Sequence, residues 1–321
     1  MRTCVYRQLG IRNAVRTACG WSVAVLCALS ATLALSPATA SAGITHKFLG
    51  SFGSFSMVRG LAVDESTGDV YVYDIGTGGG SVSKLNATGE PVEFSALKSD
   101  VIEGVGVGGG IDAAQIAVDN SSGPTKGDIY VANNDGVRIY DADGSFLGEL
   151  GNRGSHQSDG VAVDNAGNVY VARLVAQSGN VDKYVPTANP VTEADYTASI
   201  APLNEPYRVA VDPAGDLYIR FRVSELDGSV KKYDPSQFGS FTPQGTEVAE
   251  TARSVAVDSS DGHVYVVKGG VLTGAANELV EFDSSSNQLG EPFGEGRFSE
   301  SYALAVDGVH QRVFVANGNS E

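Results

Sequence analysis

The sequence predicts an all-β protein, a six-bladed β-propeller of four-stranded antiparallel blades, and three observations predict it. A phrase of the form apolar-Ala-Val-Asp, short turn, apolar-aromatic-apolar occurs six times. Its aspartates, Asp64, Asp119, Asp164, Asp212, Asp258 and Asp307, are separated by 55, 45, 48, 46 and 49 residues, close to the roughly 40 to 50 residues of one propeller blade. Beyond the first 42 residues no helical period of useful length competes with this pattern.

Each unit reads as strand, tight turn, strand. Val, Ile, Tyr and Phe suit a pleated, half-buried surface, and the runs are too short for helices. The aspartate stands where its carboxylate can accept from backbone amides of the turn. The second strand carries Tyr71, Tyr130, Tyr170, Tyr218, Tyr265 or Phe314. Six aromatics in equivalent apolar slots predict packing between neighbouring units. A third strand follows as "GSVSKLN", "DGVRIYD", "GNVDKYV", "GSVKKYD" and "NELVEFD". A fourth carries wording such as "SFLGELG" at Ser145–Gly151 and "QLGEPFG" at Gln288–Gly294. Such units cannot bury their faces alone, so they are expected to stack radially about an axis.

The segment Gly127–Gly151, "GDIYVANNDGVRIYDADGSFLGELG", resembles an NHL repeat, and the other copies are looser versions of it. The likeness spans essentially residues 43–321 and implies a six-bladed propeller of the NHL or TolB-like kind. The histidine that names the family is missing, since the matching turn reads Asn133, Asn134, Asp135, Gly136. A Trp-Asp pair and a Trp-terminated Asp-box are missing too, which argues against WD-type and sialidase-like propellers.

Residues 1–42 read as an export signal. Arg2, Arg7, Arg12 and Arg16 precede the apolar run "WSVAVLCALSATLAL", and "ATASA" supplies small residues for cleavage after Ala42. The run of about 15 residues is short for a membrane span of roughly 20. All three cysteines, Cys4, Cys19 and Cys27, and the single tryptophan fall in this segment. Residues 43–321 would then form the propeller, with 18 basic against 38 acidic residues and a net charge of −20. Such a charge disfavours nucleic acid and anionic lipid. A secreted or cell-surface location is expected, with no membrane insertion after cleavage.

The first strand of that mature chain, near residues 46–53, repeats fourth-strand wording as "KFLGSFG" and is expected to close the last blade. Blade six has no third strand between Asn317 and Glu321. The sequence therefore predicts an incomplete last blade, a weakly paired or displaced opening strand, and a natural product that continues past Glu321.

Chemistry-bearing residues are few. The repeated aspartates read as turn caps rather than calcium ligands. Of His46, His156, His263 and His310, only His156 falls on a loop expected to face the channel, and it has no partner at a recognisable spacing. Asp74, Asn133 and Asn317 follow the second strands and are weak metal candidates, although loop hydrogen bonding is the simpler role. "GVGVGGG", Gly104–Gly110, lacks the Lys-Ser/Thr of a phosphate loop and reads as an insertion.

One distribution stands out. Arg59, Arg208 and Arg253 lie in the loops entering first strands, and Arg173, Arg220 and Arg222 lie at the ends of second strands, all on one face of a propeller. Guanidinium groups around one channel mouth could hold a carboxylate or sulfate by paired hydrogen bonds. The expected function is a non-catalytic scaffold, without cofactor, for a protein, peptide or acidic glycan. The alternative is an extracellular propeller enzyme, a metal-dependent lactonase-like hydrolase or a lyase.

Overall fold

The computed structural model describes residues 2–9, 45–76, 78–106, 114–151, 157–175, 178–223, 228–269, 277–298 and 301–317. Two strands open the chain, β1 (Arg2–Leu9) and β2 (Thr45–Phe52). Blade one follows with β3 (Val58–Asp64), β4 (Asp69–Asp74), β5 (Ser81–Leu85) and β6 (Val101–Glu103). Blade two comprises β7 (Ile116–Val118), β8 (Ile129–Asn133), β9 (Gly136–Tyr140) and β10 (Phe146–Gly151). Blade three comprises β11 (Gln157–Val163), β12 (Val169–Val175), β13 (Ser178–Tyr184) and β14 (Tyr196–Leu203). Blade four holds β15 (Pro206–Val211), β16 (Leu217–Arg222), β17 (Gly228–Tyr233) and β18 (Thr246–Ala249). Blade five holds β19 (Ala252–Val257), β20 (Val264–Lys268), β21 (Asn277–Phe282) and β22 (Gln288–Phe298). Blade six contains β23 (Leu304–Asp307) and β24 (Arg312–Asn317), and the two N-terminal strands complete it in the order β23-β24-β1-β2. The protein is thus a six-bladed propeller of four-stranded antiparallel sheets.

The repeat phrase explains the local geometry. In every unit the aspartate after the first strand accepts from a turn amide through its side chain: Asp64 from Ser66, Asp119 from Ser121, and Asp164 from Ala166. Asp212 accepts from Ala214, Asp258 from Ser260, and Asp307 from His310 in the same way. Each carboxylate holds the chain reversal that lets the second strand return beside the first. Two of the tyrosines add a second tie, since Tyr170 and Tyr218 donate their hydroxyls to Asp164 and Asp212 at 2.9 and 3.2 Å.

The core lies between blades. Tyr71 belongs to the apolar layer joining blades one and two, Tyr130 to the next, and Tyr170, Tyr218, Tyr265 and Phe314 to the remaining four in turn. All six rings are at most 1 % exposed, and burying a side chain of this size contributes about 2–3 kcal/mol. One blade alone would leave that ring in water, so the repeats stabilise one another in a closed circle.

The last blade corrects one expectation. It is not incomplete: β1 lies between β24 and β2, pairing Arg2–Arg7 with Arg312–Asn317 on one side and Thr3–Leu9 with Thr45–Phe52 on the other. The segment can do this because its side chains alternate. Cys4 and Tyr6 enter the layer shared with blade five, and Val5 enters the layer shared with blade one. Arg2–Leu9, assigned from sequence to the export segment, is therefore a strand of blade six in this structure. Its partner β2 takes the fourth place of the blade and pairs with β1 from Thr45 to Phe52, so the opening strand closes the blade as its wording predicts and is neither displaced nor weakly paired.

Candidate functional site

The innermost strands surround an axial cavity of about 130 Å³. The Ala-Val pair before each repeated aspartate lines it together with polar residues that include Glu65, Gln115, Asn120 and Ser259; Val163, Val211, Val257 and Val306 are only partly buried there. At the end beyond the aspartates, the Glu65 carboxylate accepts from Ser259 Oγ at 2.7 Å, and Asn120 donates to the Val63 carbonyl. Burial raises the pKa of Glu65 against the lowering effect of the Ser259 hydroxyl and the Gly308 amide.

The opposite end is closed by polar side chains. Gln115 donates from Nε2 to the Val209 carbonyl at 2.8 Å, and its Oε1 accepts from the amides of Val161 and Val209. One side chain thereby ties blades two, three and four. Arg208 reaches from blade four to the carbonyl of Arg59 in blade one, the opposite blade, with Nη2 to oxygen 2.8 Å.

Around this mouth one register position recurs. The residue five places before each repeated aspartate is Arg59, Ala114, Asp159, Tyr207, Arg253 and Tyr302 in blade order. Tyr302 therefore sits between two arginines, with the Arg59 guanidinium carbon 4.2 Å and that of Arg253 5.3 Å from its ring centroid. Arg220 and Arg222 flank the other tyrosine, Tyr207, at 5.8 and 5.2 Å. Arg220 Nε also donates to the Ala252 carbonyl, which joins the two groups. Cations over aromatic faces are held by the ring quadrupole, an effect that strengthens as water is excluded.

Five of the six arginines singled out from sequence thus fall into one string at the mouth. The sixth does not. Arg173 is fully buried inside blade three, donating to Asp182 at 2.8 Å, to Ser158, to the Gly151 carbonyl and to the Tyr184 hydroxyl. Arg222 is the most exposed and pairs with Glu205 at 2.7 Å. Arg59, Arg208, Arg220 and Arg253 are at most 5 % exposed. Asp159, the acid of the ring, is buried as well. Arg253 has capacity to spare: Nε donates to the Gly269 carbonyl at 2.9 Å, while Nη1 is buried without an acceptor among the described residues. Ser301 Oγ, beside Tyr302 in sequence, is likewise buried and unpartnered.

Tyr207 and Tyr302 escape the search for charged residues. They become visible once the six copies are aligned on the aspartate, because both occupy the position of Arg59 and Arg253.

The metal candidates are occupied otherwise. Asp74 accepts from the amides of Ser56, Met57 and Gly76. Asn133 donates to the Val105 carbonyl and accepts from the amides of Asp135 and Gly136. Asn317 donates to the Arg297 carbonyl. No cluster of three or more His, Cys, Asp or Glu side chains suited to a metal occurs among the described residues. His156 lies outside the described residues, as do residues 107–110 of the Gly-rich insertion.

No family model matches the chain, and no curated protein matches it. Solved structures do. A chain of the nidogen/laminin complex superposes with a TM-score of 0.56 at 16% identity, covering 81% of this chain and 88% of that one. A gluconolactonase from Xanthomonas campestris gives 0.56 at 15%, covering 83% and 84%. Regucalcin, a calcium-binding protein from Agrobacterium tumefaciens, gives 0.54 at 11%, covering 82% and 90%. These likenesses show the fold. They span proteins that bind and proteins that catalyse, so the mouth's own chemistry has to decide between those classes.

Proposed function

We propose that this protein is an NHL-like binding propeller that takes the carboxylate or sulfate of an acidic glycan or peptide at the arginine mouth of its channel. One observation carries the reading: Arg253 presents a buried Nη1 with no acceptor among the described residues, beside the ring of Tyr302, which also holds the guanidinium of Arg59. A buried, unmet donor on a cation is costly, and an anionic oxygen would satisfy it. The Ser301 hydroxyl, one residue before Tyr302, is a second buried donor without a partner among the described residues. Against a formal charge of −16 over the whole chain, these cations form a local contrast that would favour one bound acid over diffuse attraction of polyanions.

The export pattern at residues 1–42 supports a secreted or cell-surface location. Among the described residues no helix is long and apolar enough to cross a membrane. The enzymatic alternative would need Asp74, Asn133 and Asn317 to turn from the backbone groups they now serve. Elemental analysis of purified protein for a stoichiometric divalent ion separates the two readings.

The binding test compares the parent protein with Arg253→Ala and Arg253→Lys on an array of sulfated and carboxylated glycans and peptides. Binding lost in the first and weakened in the second is expected, because a lysine restores charge without the planar fork. Arg173→Ala, whose guanidinium is spent on Asp182, Ser158, Gly151 and Tyr184, serves as the control. Unchanged binding in Arg253→Ala overturns the proposal.

A further inference from the structure

The third strand of blade six is a poor match for the place it fills. In the other blades the position equivalent to Thr3 is Val82, Val137, Val181, Val230 or Leu279, each wholly buried against a neighbouring blade. Thr3 is equally buried, and its hydroxyl has no hydrogen-bond partner among the described residues. The hydroxyl of Tyr6 is buried and unpartnered too.

Charge disagrees as well. The residue after the third-strand aromatic or leucine is Asn86, Asp141, Asp234 or Asp283 in four blades, where its side chain accepts from amides of the turn leading to the fourth strand. In blade six that residue is Arg7. It stands opposite Arg312 on β24 and opposite Lys47 on β2, so three cations lie side by side across the sheet. Like charges facing one another destabilise a strand pair. The aromatic alone conforms: Tyr6 takes the place of Tyr140, Tyr184, Tyr233 and Phe282, and packs on Phe48, Phe293 and Phe298.

We propose that the slot between β24 and β2 is a strand-acceptor site, held in this structure by Arg2–Leu9 and open to exchange. Its preferred occupant is an extended partner segment of the pattern apolar-x-x-aromatic-Asp. The aromatic would enter the cage of Phe48, Phe293 and Phe298, the apolar residue would replace the stranded Thr3 hydroxyl, and the aspartate would lie between Arg312 and Lys47. Backbone pairing on both sides supplies affinity, and those three side chains supply specificity, as in other cases of β-strand addition. An unfilled slot would expose two strand edges, and β1 covers them. Removal of residues 1–42, the segment with the export pattern, would vacate the site.

Cys4, 4 % exposed in the middle of β1, reports on exchange. In full-length protein carrying Cys19→Ser and Cys27→Ser it is the remaining thiol, and its alkylation rate reads how often β1 leaves. The probe is a synthetic peptide of the chain's own β17 wording, GSVKKYD. Saturable acceleration of Cys4 alkylation is expected, with roughly fivefold weaker half-saturation for the peptide ending in Arg instead of Asp. Thr3→Val with Arg7→Asp, which repairs β1, should slow alkylation and suppress the peptide effect. If that variant does not fold, the two peptides on the parent chain still decide. Alkylation that ignores the peptide, accelerates without saturating, or fails to distinguish Asp from Arg overturns the proposal.

Discussion

His263 Nδ1 lies 2.7 Å from Oε1 of Glu281, a carboxylate with no solvent exposure in the seam between blades five and six. The same oxygen accepts from the Tyr265 hydroxyl and from Gln8 of β1, both at 3.0 Å. The second oxygen lies 3.2 Å from Nε2 of His46 on β2, whose ring stacks on Phe293. Glu281 thereby fastens both N-terminal strands to blade five.

The clasp makes stability depend on pH. Burial would raise the Glu281 pKa, but the donors from His263 and His46 outweigh it and bring it below the ordinary value of 4.5. The hydrogen bond that His263 donates to Glu281, against burial and with Asp261 and Asp258 nearby, raises His263 above 6.5. A raised histidine stabilises fully below its unfolded pKa and loses the contribution as pH climbs through its folded one; a lowered carboxyl does so above its unfolded pKa and loses it as pH falls. The pair therefore contributes most between about pH 4.5 and 6.5. Thermal melts should show the parent losing stability on the alkaline side of this window, and His263→Gln should flatten that slope. Glu281→Ala, which removes the buried carboxylate shared by His263 and His46, should cost about 3 kcal/mol.

Arg173 separates structural from functional arginine. Its ion pair with Asp182 has side-chain exposures of 0% and 2%. Removing one partner of such a pair costs about 3–5 kcal/mol. Arg173→Ala is thus expected to lower the denaturation midpoint strongly while leaving acidic-ligand binding per folded molecule intact. A variant that stays stable would contradict the buried pairing.

The repeated aspartates should behave as caps. Asp212 accepts from the amides of Ala214 and Asp216 and from the Tyr218 hydroxyl. Asp212→Ala should destabilise by about 2 kcal/mol, since these donors lose a charged acceptor. Adding calcium should not shift the parent's melting temperature through this residue; a calcium-dependent gain abolished by Asp212→Ala would show a metal role instead.

Gln115 closes the arginine end of the axial cavity through three hydrogen bonds to blades three and four. Gln115→Leu keeps most of the volume and strands two inward amides and a carbonyl. A loss of about 2 kcal/mol is expected, together with faster hydrogen exchange at Val161 and Val209.

Much of the fold is legible in the sequence because it is written six times. The Asp-turn-aromatic phrase encodes a strand reversal within about a dozen residues, and identical apolar slots repeat wherever one blade meets the next. The face on which the arginines gather was legible for the same reason, since strand order places those loops together. Arg173 escaped that logic. A residue at the end of a strand can turn toward the mouth or toward its own sheet, and the presence of Asp182 on the neighbouring strand, nine residues along the chain, decides the matter.

The sequence by itself determined an all-β propeller, its six repeat units, the capping role of the aspartates and the packing role of the aromatics. These are local rules or repeated ones, and periodicity displays them. Only the tertiary structure decided which segment completes blade six, which arginines converge and that Tyr302 lies between two of them. Those outcomes depend on contacts between the chain's two ends and across the ring, where Arg2–Leu9 meets Arg312–Asn317 and Arg208 meets Arg59. Such pairings are set by closure of the circle, and no repeat length or local propensity encodes them.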